Sequence, residues 1–324
     1  MTTQSFPPAP PGLLSLWRFA RPHTIIGTSL SVIALAVIAM TSGTAQSAIT
    51  QETQVLPSRL MLPSLVFLGS WLACLAGNLY IVGLNQLTDI EIDRINKPNL
   101  PLVSGALTVR QGQIIVAGAG VSAIALSLLL GPWLLATVLA SLVLGTVYSL
   151  PPFRLKRWPL LAAFCILVVR GGVINGGLAL HFTQVFTGQA QLDATIGLLI
   201  AFIVVFSIAI ALFKDMPDTD GDRAHNIATF VLQLGPEAIF QIVRGLLIAC
   251  YVGMIGTGWY QLVPMNRVVM LGGHTLLLVV LCWRSQRVEL GDRIAIQRFY
   301  QFIWRLFFLE YILFPIACWP WPST

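Results

Sequence analysis

"IIVAGAGVSAIALSLLL", from Ile114 to Leu130, carries no charge and no proline, and its apolar residues do not alternate with polar ones. A strand with one face in water alternates with a period of two, and a strand of a membrane barrel does so over ~10-residue stretches. A run apolar on every side instead specifies a helix with no polar face. At 17 residues it reaches the length needed to cross the hydrocarbon core of a bilayer, roughly 17–25 residues.

The rest of the chain repeats this pattern. Of 324 residues 56% are hydrophobic and 10% charged, against about 25% charged in soluble domains. Apolar segments run over residues 25–40, 61–84, 114–130, 132–150, 160–180, 194–212, 239–254, 268–283 and 299–319. Gly131-Pro132 alone separates the third from the fourth, which suits a tight hairpin. The expected fold is an all-α polytopic membrane bundle of nine transmembrane helices. Residues 1–22 form a cytoplasmic N-terminal segment and 23–324 a single transmembrane domain. The start of the chain, with "PPAPPG" before its first basic residues, Arg18 and Arg21, does not read as a signal peptide. Cys74, Cys165, Cys250, Cys282 and Cys318 all fall in apolar runs and never as CxxC. They read as reduced thiols, neither a disulfide frame nor a metal site.

Charge gives the orientation. With the N-terminus in the cytoplasm and nine alternating helices, fourteen of the nineteen Lys and Arg fall on the cytoplasmic side, and only Arg59 and Arg267 outside. That asymmetry is the positive-inside pattern. The net charge of +6 therefore marks one membrane face rather than a nucleic-acid site.

Seven of the thirteen acidic residues lie in two short stretches, "NQLTDIEIDRINKPN" (Asn85 to Asn99) and "KDMPDTDGDR" (Lys214 to Arg223), both on that same face. Asn85, Asp89 and Asp93 are four apart, which on one continuous helix stacks them along a stripe. Asp218 and Asp222 repeat the spacing, with Asp215 three residues earlier. Pro217 suits the first turn of a new short helix, which would leave Asp215 at the end of the sixth segment. Hard oxygen donors in small number suit Mg²⁺, whose remaining positions go to water and phosphate. Arg94, Lys97, Lys214 and Arg223 lie among the acids. The expectation is a two-metal diphosphate site, with these cations taking up the residual negative charge. A calcium loop fails as the alternative: with Gly221 at the required glycine, Met216 and Ile227 occupy ligand positions.

These two motifs, one after the second and one after the sixth segment, resemble the UbiA superfamily of intramembrane aromatic prenyltransferases, and "RPHTIIGT" (Arg21 to Thr28) is similar to that family as well. The resemblance covers essentially the whole chain. It implies Mg²⁺ held by Asn85, Asp89, Asp93, Asp215, Asp218 and Asp222, with Asp89, Asp93, Asp218 and Asp222 central to catalysis. "NQLTDIEIDRINKPNLPLVSG" favours members that prenylate homogentisate. The implied reaction is then phytyl transfer from phytyl diphosphate with loss of CO₂, in a thylakoid or plasma membrane of a cyanobacterium. Other acceptors or donors within the superfamily (chlorophyllide, dihydroxynaphthoate, a solanesyl or geranylgeranyl chain) are the nearer alternative. A cation-coupled transporter is the distant one, disfavoured because such ion sites lie near the bilayer midplane.

Four other residues are candidates for the pocket. Arg170 lies mid-segment, where a charge costs about 2.5–3.5 kcal/mol on insertion scales and so implies a polar partner or cavity. Asn175 lies five residues on, and His23 begins the first helix. Tyr148 opens "YSLPPFRLKR", whose Arg154 and Lys156 read either as membrane anchors or as diphosphate ligands.

Overall fold

A bilayer offers backbone amides no partner except their own chain, so apolar runs become helices whose ends extend until water is reached. The computed structural model describes residues 12–41, 58–217, 219 and 229–320, without the side chains of 58–63. Among the described residues there is no strand. The helices are α1 (Leu13–Phe19), α2 (Pro22–Thr41), α3 (Ser58–Thr88), α4 (Ile90–Asn96), α5 (Val109–Leu130) and α6 (Pro132–Ser149). There follow α7 (Pro159–Thr187), α8 (Ala194–Phe213), α9 (Phe230–Leu234), α10 (Pro236–Tyr260), α11 (Arg267–Ser285) and α12 (Arg293–Cys318). Nine of them, all but α1, α4 and α9, are long and apolar enough to cross a membrane. They match the nine apolar segments and extend most of them at one or both ends.

Local chemistry sets those ends. Thr108 caps α5 by accepting from the Gln111 amide (3.2 Å) while the Gln111 side chain accepts from the Thr108 amide (2.9 Å), a reciprocal capping box. Asp193 and Asn266 cap α8 and α11 in the simpler way. The hairpin between α5 and α6 turns on Gly131 at φ +133°, which a side chain would strain, and Pro132 then opens α6 without a lost hydrogen bond.

The packing closes into a ring. α2 packs on α3, α7 and α12; α3 on α5 and α6; and α6, α7, α8, α10, α11 and α12 pack each on the next. With lipid outside, close approach rather than water exclusion holds such helices together. At Gly177 of α7 an added Cβ would collide with Thr137 Oγ1 of α6, and that hydroxyl is bound to the Trp133 carbonyl at 2.7 Å. Gly177→Ala should therefore cost about 1–3 kcal/mol by overpacking, seen as a lower thermal midpoint in detergent. An unchanged midpoint would show that α6 and α7 can part without penalty.

Two features are added by the structure. The described part of the N-terminal segment docks on the bundle: Phe19 at the end of α1 is fully buried with Leu102, Leu107 and Val116, and Gln86 Nε2 donates to the Phe19 carbonyl (2.6 Å). In addition, α7 is not uniformly α-helical. Its middle, Val168–Val173, is π-helical, an irregularity tolerated at membrane depth where it faces protein or a cavity.

Candidate active site

α3 ends at Thr88, and Asp89 leaves helical geometry at φ −117°, ψ 16° before α4 begins. The stripe of Asn85, Asp89 and Asp93 is thus broken at its middle member, contrary to the continuous helix assumed from spacing. The Asp93 amide still donates to the Asp89 carbonyl at 2.8 Å, so the chain direction is kept and all three side chains line one cavity of about 1170 Å³. Asn85 Nδ2 donates to Asp89 Oδ2 (2.9 Å). Asp93 is buried, with Lys97 Nζ 3.9 Å away.

The loop between α6 and α7 supplies the opposing charge. Lys156 Nζ lies 2.7 Å from Asp89 Oδ1 and Arg154 Nη2 3.4 Å from the same atom; Lys156 also donates to Thr88 Oγ1 (2.8 Å). Burial holds the Lys156 ammonium below the usual lysine range, against the opposing pull of Asp89. At the end of α8, Lys214 pairs with Asp215. Burial alone would lower its pKa, but Asp215 and neighbouring groups outweigh it and raise the net value.

Arg18, Arg21 and Arg157 complete the wall. Arg21 and Arg154 both hold left-handed backbones, at φ +52° and +41°, which costs a non-glycine residue on the order of 1–3 kcal/mol and tends to persist at functional sites. Among the described residues seven cations face this cavity against three carboxylates, Asp89, Asp93 and Asp215. Such an excess is suited to a polyanion.

Inward, the cavity adjoins a second chamber of about 340 Å³ between α2, α3, α6, α7, α8 and α12. Arg21, His23, Asn85, Tyr148, Lys214 and Tyr300 line both, so the two share a throat. Its deeper wall is mostly apolar, with Val138, Leu144, Ile166, Ile174 and Phe307. One end of this space takes charge, and the other takes hydrocarbon.

The UbiA prenyltransferase family model matches residues 48–306 of the chain. The chain belongs to the UbiA prenyltransferase family. It is similar to the homogentisate phytyltransferase of Synechocystis sp., at 49% identity over 94% of this chain and 96% of the relative. It is also similar to homogentisate phytyltransferase 1 of Arabidopsis thaliana, at 37% over 93% of this chain and 74% of the relative. Among solved structures, a UbiA homolog from Archaeoglobus fulgidus bound to GPP and Mg²⁺ aligns with a TM-score of 0.57 at 14% identity, over 94% of this chain and 99% of that one. A digeranylgeranylglyceryl phosphate synthase aligns at 0.61 and 18%, over 94% and 98%. These last two speak for the fold. The protein is an integral, multi-pass prenyltransferase, and family membership removes the transporter alternative.

In this UbiA prenyltransferase the structure brings Asn85, Asp89, Asp93, Lys97, Tyr148, Arg154, Lys156, Lys214, Asp215 and His23 to the outer cavity, and Arg170 to the inner chamber. Asp218, Asp222 and Arg223 lie outside the described residues. Arg94 is a correction: it turns outward to Glu91 at 3.0 Å, both side chains largely exposed, because three residues along a helical turn is the shorter reach. Asn175 is another: it is fully buried behind the chamber wall and does not line it. Nothing in spacing or composition marks Arg18, Arg157, Tyr300 or Gln301 as cavity residues. For Arg21 the usable sequence signal is its place at the head of "RPHTIIGT".

Among the described residues no three acidic, His or Cys groups lie close enough to hold a metal ion by themselves. The donors present, an amide and carboxylates on one wall, nonetheless fit a hard cation that takes few protein ligands.

Proposed function

We propose that the protein transfers a phytyl group from phytyl diphosphate to homogentisate, with decarboxylation, to give 2-methyl-6-phytyl-1,4-benzoquinol. The observation that carries this is the 49% identity, over nearly the whole of both chains, to a homogentisate phytyltransferase. The paired cavities support it.

In this reading the diphosphate sits in the outer cavity, where Arg18, Arg21, Arg154, Lys156 and Arg157 offset its charge as the carbon–oxygen bond breaks. Asn85, Asp89, Asp93 and Asp215, with Asp218 and Asp222, would hold Mg²⁺, which when bound supplies charge neutralisation of the leaving group. The allylic chain lies along the apolar chamber, whose walls keep water from the cation. An electron-rich ring carbon attacks the allylic carbon, and the ring proton leaves. The bond to the carboxylate breaks with release of CO₂, its electron pair staying on the benzylic carbon, which takes up a proton. The same charge bias supports a cytoplasmic face for this site.

Purified protein incubated with Mg²⁺, carboxyl-labelled homogentisate and phytyl diphosphate should release labelled CO₂ only when the donor is present. Release of inorganic diphosphate with another acceptor, and none of the label, would keep the site and overturn the acceptor. Neither product would overturn the whole reading.

A further inference from the structure

We propose that Arg170 is the anchor for the carboxylate of the aromatic acceptor. This rests on the acceptor reading above and gives it a residue.

Arg170 lies within the π-helical part of α7, and the turn that carries it is held from three sides. Asn175 Nδ2 donates to the carbonyls of Arg170 (2.6 Å) and Gly171 (3.1 Å). The Asn175 Oδ1 in turn accepts from Tyr311 of α12 (2.9 Å) and Ser31 of α2 (3.4 Å). A buried amide with all these partners fixes where the turn points. The guanidinium it presents lies over the Trp304 ring, 4.7 Å from the centroid, and 5.7 Å from that of Phe307. Its flat face is therefore packed, while Nη1 on its edge is buried with no partner, and no carboxylate pairs with Arg170 among the described residues. Lys156 and Lys214, the half-buried lysines nearer the mouth, each have one, in Asp89 and Asp215.

An unpaired guanidinium donor in an apolar wall lacks an anion. A ligand carboxylate supplies it in the geometry a guanidinium matches best, two parallel N–H···O bonds. The diphosphate has the outer cavity's own cations, whereas Arg170 lines the inner chamber. An aryl acid brings both the anion this edge lacks and a flat ring suited to a chamber walled by Trp304, Phe307 and Tyr311. Arg170 then serves in two stages. It selects an acid over a neutral quinol on entry. Once the carboxylate has left as CO₂ the neutral product has lost that contact, so it is released.

The test compares homogentisate with its neutral amide, 2,5-dihydroxyphenylacetamide, used as a competitive inhibitor of wild type, Arg170→Gln and Arg170→Lys. Wild type should bind the acid at least about tenfold more tightly than the amide. Arg170→Gln should raise the KM for homogentisate about tenfold or more, leave the KM for phytyl diphosphate within about twofold, and abolish the preference for acid over amide. Arg170→Lys, which keeps the charge but not the planar fork, should retain part of that preference. A merely structural arginine would change both KM values or neither, and would leave the preference intact; either result overturns the proposal. If Arg170→Gln does not fold, the wild-type comparison still decides, since an amide that binds as well as the acid leaves no role for a carboxylate anchor. Wild-type turnover of homogentisate is read in the same assay. Its absence overturns the acceptor reading and this inference together, whereas turnover with an unchanged preference in the variant overturns the inference alone.

Discussion

Asp89→Ala should reduce prenyl transfer by about 10³-fold or more while the protein still folds, because this carboxylate is the oxygen donor on which Asn85, Arg154 and Lys156 converge in the outer cavity. It stands at the break between α3 and α4, accepts from Asn85, and faces Lys156 at 2.7 Å and Arg154 at 3.4 Å. Its removal withdraws a hard oxygen donor and frees two cations to bind the diphosphate out of register. The loss should fall on kcat at saturating substrate rather than on KM alone, since the effect is on charge that develops as the leaving group departs. Diphosphate release and the thermal midpoint, measured on the same preparation, check both halves. Asp218→Ala in the second motif should behave alike. If both variants fold and keep full Mg²⁺-dependent turnover, the diphosphate site is elsewhere.

The second large effect is on stability, far from the chemistry. His274 of α11 and Glu310 of α12 are both fully buried, with Nε2 3.3 Å from Oε1. His274 Nδ1 lies 2.7 Å from the Met270 carbonyl, while Glu310 Oε2 has no partner. Neither residue lines the outer cavity or the inner chamber. His274→Leu strips Glu310 of its partner and should destabilise by about 3–5 kcal/mol, the cost of leaving a buried charge uncompensated. The double variant His274→Leu, Glu310→Met removes both polar groups and should recover most of that loss. Thermal midpoints in detergent compare the two. Equal losses in the single and double variants would show that packing volume, and not the polar pair, matters there. Specific activity of the folded fraction should stay near wild type in both.

The site was partly legible because some of its contacts are local. Asn85, Asp89 and Asp93 sit within nine residues of one another, and a four-residue spacing survives even the break at Asp89, since the Asp93 amide continues the helical hydrogen bond across it. Lys214 and Asp215 are neighbours in sequence and pair in space. Where the partner lies far along the chain, spacing says nothing. Lys156 and Asp89 are 67 positions apart, and only the packing of α6 against α3 brings them together. Arg94 shows the reverse error. A basic residue beside an acidic motif reads as a ligand, but its nearer neighbour Glu91 draws it to the surface.

By itself the sequence determined the class of fold and the helix count, and its charge bias gives an expectation of sidedness. These follow from single-segment properties: a bilayer requires each apolar run to satisfy its own backbone, and basic residues accumulate on one side of it. The composition also located the acidic motifs, because carboxylates are rare in such a chain. Tertiary structure alone decided which cations face the cavity, that Asn175 supports the wall from behind, that Arg170 presents an unpaired edge to the chamber, and that Glu310 meets His274 within the membrane-spanning bundle. Each depends on the direction of a side chain within a ring of packed helices. That direction is set by which helices pack together and how closely, and no property of one segment contains it.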